Sequence, residues 1–170
     1  MIAIADTSFL IDWAKYDNRD LIFKIFELIY LPESTLNEIR NELTLIWISQ
    51  ALEENRMAIF PEIPQISNEA LRLVNSSRRL PIRPVDYPEA YCTVVGKIFD
   101  YVVLTENGGV AALVDYFDEY NNVKVFRAID VIYQLFKSGL VKDFKTELDR
   151  YSNQTKHMFS VRDLRKYGIL

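Results

Sequence analysis

Short apolar runs alternate along this chain with longer segments in which apolar residues recur at helical spacing. The runs that we interpret as strands have almost no polar alternation and cover residues 2–5, 29–31, 57–60, 101–104 and 123–126. Such runs are typical of strands that are covered on both faces. Their alternation with helical segments predicts an α/β fold, a three-layer α/β/α sandwich with a central, mainly parallel sheet.

Helix bounds follow from apolar spacing and capping residues. Pro32 and Glu33 suit a first turn and predict a helix over residues 33 to about 55. Its expected buried side carries Leu36, Ile39, Leu43, Ile46, Trp47 and Leu52. Asp86 and Glu89 form a capping-box pattern that begins a helix ending near residue 99. Further helices are predicted at about 68–76, 110–119 and 128–137, the last of them ended by Gly139.

The 170 residues are enough for one domain with a short appendage. The alternating pattern occupies residues 1–140, which we expect to form the domain. Residues 141–170 are more polar, and from Arg150 onward they contain five Lys or Arg residues against one acid, Asp163. We therefore expect a basic, helical C-terminal extension.

Composition excludes several function classes. Apolar residues make up 49% of the chain and charged residues 26%, with a net charge of −4, so the chain is neither disordered nor a generally basic nucleic-acid coat. A single cysteine and a single histidine exclude a disulfide framework and Cys-rich zinc modules. There is no membrane-length apolar stretch and no basic leader, so we expect a cytoplasmic protein. Carboxylates remain the main candidates for chemistry.

Acidic or amide side chains stand at four places that a parallel sheet could bring together. They follow the first strand, lie on the next long helix, begin a later helix and follow the 101–104 strand: Asp6; Glu38; Asp86 and Glu89; Glu106 and Asn107. Each alone has an ordinary explanation as a helix cap, a solvated residue or a polar turn. Ligands of open α/β sheets bind at the carboxyl ends of the strands, which is where Asp6 and the pair at 106–107 fall.

The order of these segments resembles that of the PIN-domain ribonucleases. Residues 2–12 (IAIADTSFLID) are similar to the first strand of that family, which runs into Asp-Thr or Asp-Ser. Residues 31–39 (LPESTLNEI) resemble its second motif, in which a helix bearing an acid follows an extended stretch. Glu89-Ala90 and residues 102–107 (VVLTEN) are similar to its acid-Ala helix and its Val-Leu-Thr-x-Asp strand end. The resemblance covers about residues 1–140 and implies the PIN-like fold.

The resemblance also implies an activity, the hydrolysis of RNA phosphodiester bonds by a Mg²⁺- or Mn²⁺-dependent endoribonuclease. Asp6, Glu38 and Glu89 would hold the metal, with Asp86 as an auxiliary or competing third acid. Clustered carboxylates need such a partner, because two of them about 5 Å apart repel by roughly 3 kcal/mol at an effective dielectric near 20. Hard divalent cations prefer oxygen ligands.

One position departs from the family pattern. The fourth family acid stands two residues after the threonine, where this chain has Asn107. Asn107 could still offer a neutral oxygen to the metal, and Glu106 is a further candidate ligand. Thr7, Ser8 and Thr105 would supply hydroxyl or backbone contacts around the acids.

RNA requires cations near the acids. The first candidate set lies before and on the later helix: Arg78, Arg79, Arg83 and Lys97. A second set lies in the C-terminal extension: Arg150, Lys156, Arg162, Arg165 and Lys166. The ordinary interpretation of both sets is a solvated face. Cys92 is expected to be buried and His157 to be exposed, and neither is assigned chemistry.

These residues are compatible with three functions. The resemblance implies a ribonuclease that is either the toxin of a toxin–antitoxin pair, held by a small antitoxin protein and commonly a homodimer, or an enzyme that processes RNA. The loss of an acid at Asn107 favours a PIN-like binding module with weak or no nuclease activity. A phosphotransfer site at Asp6 is disfavoured, because Ser8 stands where such a site has its second Asp.

Overall fold

Five short strands form one parallel sheet in the computed structural model, which describes residues 1–170. The strands are β1 (Ile2–Ala5), β2 (Leu28–Pro32), β3 (Met57–Phe60), β4 (Val102–Leu104) and β5 (Val125–Phe126). Their order is β3-β2-β1-β4-β5, and every pairing is parallel. Ile4 of the central strand pairs with Tyr30 on one side and with Val103 on the other.

Nine α-helices cover the sheet and complete the chain. They are α1 (Thr7–Trp13), α2 (Glu33–Glu38), α3 (Glu42–Glu53), α4 (Pro64–Ser77), α5 (Tyr87–Phe99), α6 (Gly108–Tyr116), α7 (Ala128–Lys137), α8 (Phe144–Thr155) and α9 (Val161–Lys166). Two 3-10 helices occupy Arg19–Lys24 and Asp118–Tyr120. None of the helices combines the length and the apolar character needed to cross a membrane.

Alternate residues of each strand enter two separate cores. Ala3 and Ala5 of β1 face a cluster that also contains buried residues of α1, α3, α7 and α8. Ile4, between them, faces a second cluster with residues of α4, α5 and α6. Because the side-chain period of a strand is two, a strand that is apolar throughout can fill both cores. The predicted α/β/α sandwich with a parallel sheet is confirmed.

The single helix predicted over 33–55 is wrong, because it is two helices. The chain is extended at Ile39, and the Asn41 side chain then caps α3 by accepting a hydrogen bond from the Thr44 backbone N–H at 3.0 Å. Because a new helix begins at Glu42, different residues face the core than a single continuous helix would bury. Leu43 and Ile46, expected to be buried, are 43% and 48% exposed.

Other element bounds shift by a few residues, and the C-terminal segment is helical. Helix α4 begins at Pro64 and α6 at Gly108, both earlier than expected, while β5 is only two residues long. Gly139 follows α7 with a φ of +70°, as its predicted role at the end of that helix requires. Buried residues of α8, Phe144, Leu148 and Tyr151, belong to the same core cluster as Ala3.

The strand order places a crevice beside β1. The chain runs from β1 outward to β2 and β3 and then returns to β4 on the other side of β1. Ligands of doubly wound sheets bind at such a switch point, outside the carboxyl ends of the strands. Asp6 follows β1 and Thr105 follows β4, and the Asp6 backbone N–H donates to the Leu104 carbonyl oxygen at 3.0 Å. The two strand ends are thereby joined at the crevice.

Candidate active site

Asp6 is the most deeply buried acid of the crevice, at 1% exposure. It caps α1, since its Oδ1 accepts a hydrogen bond from the Phe9 backbone N–H at 2.9 Å. The Ser8 hydroxyl donates to the same carboxylate at 3.0 Å, and the Thr105 hydroxyl donates to Oδ2. Contacts from its own helix and from the end of β4 therefore hold this side chain in one orientation.

Burial makes the ionised form of Asp6 costly. It raises the pKa of Asp6 from 3.8 to about 7, although the hydrogen bonds from Thr105, Phe9 and Ser8 act in the opposite direction. The negative charge of Glu89 raises the pKa further. A carboxylate whose proton is lost near neutral pH, in a crevice with a second acid, is typical of functional sites.

Glu89 lies half-buried in the first turn of α5. Its Oε2 accepts hydrogen bonds from the Asp86 backbone N–H at 2.8 Å and from the Asn107 side-chain amide at 2.6 Å. Burial raises the pKa of Glu89, while these two hydrogen bonds lower it. The Asp86 carboxylate is exposed at the rim, beside the start of the helix.

The Asn107 side chain directs its oxygen toward α6 and its NH₂ group toward the cleft. Its Oδ1 accepts a hydrogen bond from the Gly109 backbone N–H at 2.8 Å and caps α6. Its Nδ2 donates to the Pro84 carbonyl oxygen at 3.2 Å and to Glu89. These partners fix the amide, because a backbone N–H needs the oxygen and two acceptors need the NH₂ group. Asn107 therefore faces Glu89 with its NH₂ group and positions that acid, while its oxygen, expected from the sequence as a neutral ligand, bonds to α6.

Glu38 reaches the same crevice from α2. It is exposed, and its Oε2 accepts a hydrogen bond from the Thr7 hydroxyl at 2.9 Å. Thr7 is the residue that follows Asp6 at the start of α1. This contact joins residues 31 positions apart and brings the acid of α2 next to the acid of β1.

These residues enclose a cleft of about 220 Å³ with an entirely polar side-chain lining except for one proline. The lining residues are Asp6, Thr7, Ser8, Glu38, Asp86, Pro88 and Glu89. The structure thus brings together four of the carboxylates that the sequence singled out, together with two of the three hydroxyl residues. Thr105 lies beneath them, fully buried.

Glu106 points away from the cleft, in contrast to its expected place among the metal ligands. Its Oε1 accepts a hydrogen bond from the Ala128 backbone N–H at 2.6 Å. Its Oε2 lies 3.4 Å from Arg127 Nε and 3.3 Å from His157 Nε2. Only the Glu106 backbone N–H faces the cleft residues, through a 3.3 Å hydrogen bond to the Ser8 hydroxyl.

His157 is not the exposed tail residue that the sequence predicted. Its side chain is 11% exposed, and Nδ1 lies 3.4 Å from Asp12 Oδ2. The imidazole also packs edge-on against the rings of Tyr151 and Phe159. The Asp12 contact, with a further contribution from Glu106, raises the pKa of His157 above its ordinary value despite burial. No local pattern indicates this, because the two acidic partners, Asp12 and Glu106, lie far away in the sequence.

The predicted RNA-binding cations occupy different places. Arg83 is exposed and near enough to Glu89 for its charge to lower the pKa of that acid. Arg78 and Arg79 are exposed in the turn after α4 and do not line the cleft. Lys97 is at the far end of α5, about 12 Å along the axis from Glu89. Its ammonium lies 3.8 Å from Glu119 and over the Tyr120 ring, so it does not serve the cleft.

The second basic set is also divided. Arg150 pairs with Glu147 at 3.4 Å, and Lys166 pairs with Asp130 at 2.7 Å. Lys156 donates to the Asn153 carbonyl oxygen. Arg162 and Arg165 are exposed on α9 and form no ion pair.

The cleft has suitable donors without a preformed coordination shell. No group of three or more His, Cys, Asp or Glu side chains is arranged to hold a metal ion. Comparison with known proteins does not decide the family, since no family model matches the chain and no curated protein is significantly similar to it. The functional conclusion therefore depends on the geometry of the cleft.

Proposed function

We propose that this protein is a PIN-type endoribonuclease that hydrolyses RNA phosphodiester bonds with Mg²⁺ or Mn²⁺. The observation that carries the proposal is the convergence of Asp6, Glu38, Asp86 and Glu89 in one polar cleft. The cleft lies at the switch point of a parallel sheet, where such folds bind their ligands. Helix capping accounts for the places of Asp6, Asp86 and Glu89 but not for their meeting Glu38 in one cleft, where burial raises the pKa of Asp6 and of Glu89.

The donor set fits a hard divalent cation, which prefers carboxylate oxygens and retains several waters. Asp6, Glu38 and Glu89 would hold the ion, and Asp86 would contribute at the rim. Glu38 is exposed and held only by the Thr7 hydroxyl, so a side-chain rotation can bring it toward Asp6. When bound, such an ion polarises the phosphodiester and lowers the pKa of a bound water.

The surrounding residues orient the acids. Ser8 and Thr105 donate to Asp6, Thr7 donates to Glu38, and Asn107 donates to Glu89. Three acids are thus aimed by neutral donors that carry no charge of their own. The cleft would repel RNA phosphates as long as its negative charge is not balanced, so substrate binding should depend on the cation.

The direct test is cleavage of end-labelled single-stranded and structured RNAs with Mn²⁺, and with EDTA in its place. We expect cleavage that requires Mn²⁺ and falls by more than about 100-fold in Asp6→Asn and in Glu89→Gln. Arg165→Ala, on an exposed face outside the cleft, is the matched control and should keep full activity. Cleavage that survives in Asp6→Asn would show that a contaminating nuclease or another site is responsible.

Metal binding can be tested without any substrate. Mn²⁺ should raise the melting temperature of the wild-type protein, because an ion that binds only the folded state stabilises it. Asp6→Asn should show a much smaller rise over the same titration. An equal rise in melting temperature for the two proteins would refute the proposed metal site.

The geometry of Asn107 favours a second candidate function, a PIN-like module that binds RNA or protein with little or no nuclease activity. Asn107 presents N–H groups to Glu89, so the cleft lacks the fourth acid of the family pattern. RNA binding without metal-dependent cleavage would support this reading over the first. We also propose that the protein forms a homodimer and that, as the toxin of a toxin–antitoxin pair, it binds a small antitoxin protein. Growth arrest of cells that express the wild type but not of cells that express Asp6→Asn would support the toxin role.

A further inference from the structure

A larger groove adjoins the acidic cleft at the same edge of the sheet. It has a volume of about 670 Å³, roughly three times that of the cleft. Its lining includes Gly108 at the start of α6, Arg127 after β5 and Arg162 of α9. The C-terminal helix α9 is therefore one side of a groove that residues 1–140 alone would leave open.

Arg83 lies where the groove meets the cleft. It lines the groove and stands three residues before Asp86, which lines the cleft. Its backbone is packed against α6 so closely that a Cβ at Gly109 would lie 2.1 Å from the Arg83 carbonyl oxygen. Asn107 bonds to both sides of this boundary, through Pro84 and Glu89. The groove and the cleft are therefore neighbours, joined also by the hydrogen bond from the Glu106 backbone N–H to the Ser8 hydroxyl.

The charges of the groove leave two arginines free. Three acids line it, and each already has a cationic partner. Arg127 contacts Glu106 and Asp163, and Lys166 contacts Asp130 at 2.7 Å. Arg83 and Arg162 line the same groove, are exposed and form no ion pair. Four cationic side chains against three acids give the groove lining a net charge of +1, in a chain whose net charge is −4.

We propose that this groove binds the phosphate backbone of the RNA strand flanking the bond to be cleaved, with Arg83 and Arg162 as the phosphate contacts. The inference rests on the proposed nuclease function and adds to it the path of the substrate. Guanidinium groups suit this task because their planar donors match two phosphate oxygens at once. The two paired cations of the groove offset most of its acidic charge, and the two further arginines make the lining positive, so the groove opposes the strand less than the acids of the cleft do.

The test is the binding of a fluorescein-labelled single-stranded RNA, followed by anisotropy in Ca²⁺ over a range of salt concentrations. Arg162→Glu is compared with Arg165→Glu, which changes an exposed arginine of the same helix that lies outside the groove. We expect Arg162→Glu to weaken binding by about 10-fold or more and to lower the salt slope by about 0.7, the value for one lost phosphate contact on a single strand. Arg83→Ala should lower the slope similarly, while Arg165→Glu should bind within about two-fold of wild type.

The outcomes separate this inference from the proposed activity. Equal RNA affinity of the two α9 variants, or no RNA binding by the wild type, would refute the proposal that the groove binds RNA. If Arg162→Glu does not change the rate of Mn²⁺-dependent cleavage at subsaturating RNA, the nuclease function is supported and the path of RNA through the groove is refuted. Loss of binding in Arg162→Glu, in a protein that cleaves no RNA, would support the groove and refute the nuclease. Melting curves of both variants check that an exposed substitution leaves the fold intact.

Discussion

Replacing Asp6 by Asn should make the protein more stable at neutral and alkaline pH. The wild-type carboxylate is buried, and its pKa is raised from 3.8 to about 7. An asparagine can still accept the hydrogen bond from Phe9, and the Thr105 hydroxyl can turn to accept one from the new amide. The substitution therefore removes the cost of a buried charge while it retains the helix cap.

The size of the effect follows from proton linkage. In the unfolded chain Asp6 loses its proton near pH 3.8, whereas in the folded protein it keeps the proton up to about pH 7. Its contribution to stability is greatest below pH 3.8 and is lost as the pH rises toward 7, at about 1.4 kcal/mol per pH unit. The total is about 4 kcal/mol, of which about 3 kcal/mol falls between pH 5 and pH 8.

The measurement is urea unfolding of wild type and Asp6→Asn at intervals from pH 5 to pH 8, with EDTA present. The difference in unfolding free energy should widen in favour of Asp6→Asn as the pH rises. Asp86→Asn is the matched control, because it removes a carboxylate at the exposed rim of the same cleft. Adding Mn²⁺ at pH 8 should narrow the difference, since a bound cation favours the ionised form of Asp6.

A constant difference across this pH range would refute the reasoning, because it would mean that Asp6 is ionised in the folded protein from pH 5 upward. An equally large widening in Asp86→Asn would also count against it. The effect would then arise from the net charge of the cleft and not from the burial of Asp6.

Three further perturbations test neighbouring contacts. Asn107→Asp should put a second carboxylate against Glu89, where the amide now donates at 2.6 Å, and lower the unfolding free energy by about 3 kcal/mol at pH 8. Urea unfolding should show that Mn²⁺ restores part of this lost stability. If Mn²⁺ restores no stability, the clustering of acids is refuted. The raised pKa of His157 means that its stabilisation is present below pH 6.5 and lost as the pH rises through the higher folded value. Urea unfolding of His157→Gln should not show this decrease in unfolding free energy as the pH rises. Gly109→Ala should lower the melting temperature and reduce the unfolding free energy by about 1–3 kcal/mol, because the new Cβ would collide with the Arg83 backbone carbonyl. Gly108→Ala is the control, because a Cβ at that position would meet no neighbouring atom.

Much of the fold could be predicted because each strand here carries its burial pattern locally. The continuous apolar run at Ile2–Ala5 predicts a strand covered on both faces, and the structure places its residues alternately in two cores. The prediction failed between Glu33 and Glu53, where apolar residues continue at helical spacing through a break. The break at Ile39 depends on the cap formed by Asn41 and on the burial of Ile39 itself, which spacing alone does not show.

The site was partly predictable for a related reason. The order of acids at the strand ends and helix starts indicates which residues can meet at one edge of a parallel sheet, and the structure brings Asp6, Glu38, Asp86 and Glu89 into one cleft. The same order contains no information on the direction of a side chain. Glu106, next to Asn107, turns toward α7 and the C-terminal segment.

The sequence by itself determined the layers of this protein, the parallel sheet and the set of acids near its carboxyl edge, because the apolar period and the alternation of segments along the chain are local properties. Only the tertiary structure decided that Asn107 holds Glu89, that His157 is enclosed, and that α9 forms one wall of a groove. These features depend on partners far apart along the chain, as in the hydrogen bond that joins Thr105 to Asp6 across 99 positions. Such pairs form only when the packing of the whole domain brings distant segments together and excludes the water that would otherwise bond to these polar groups.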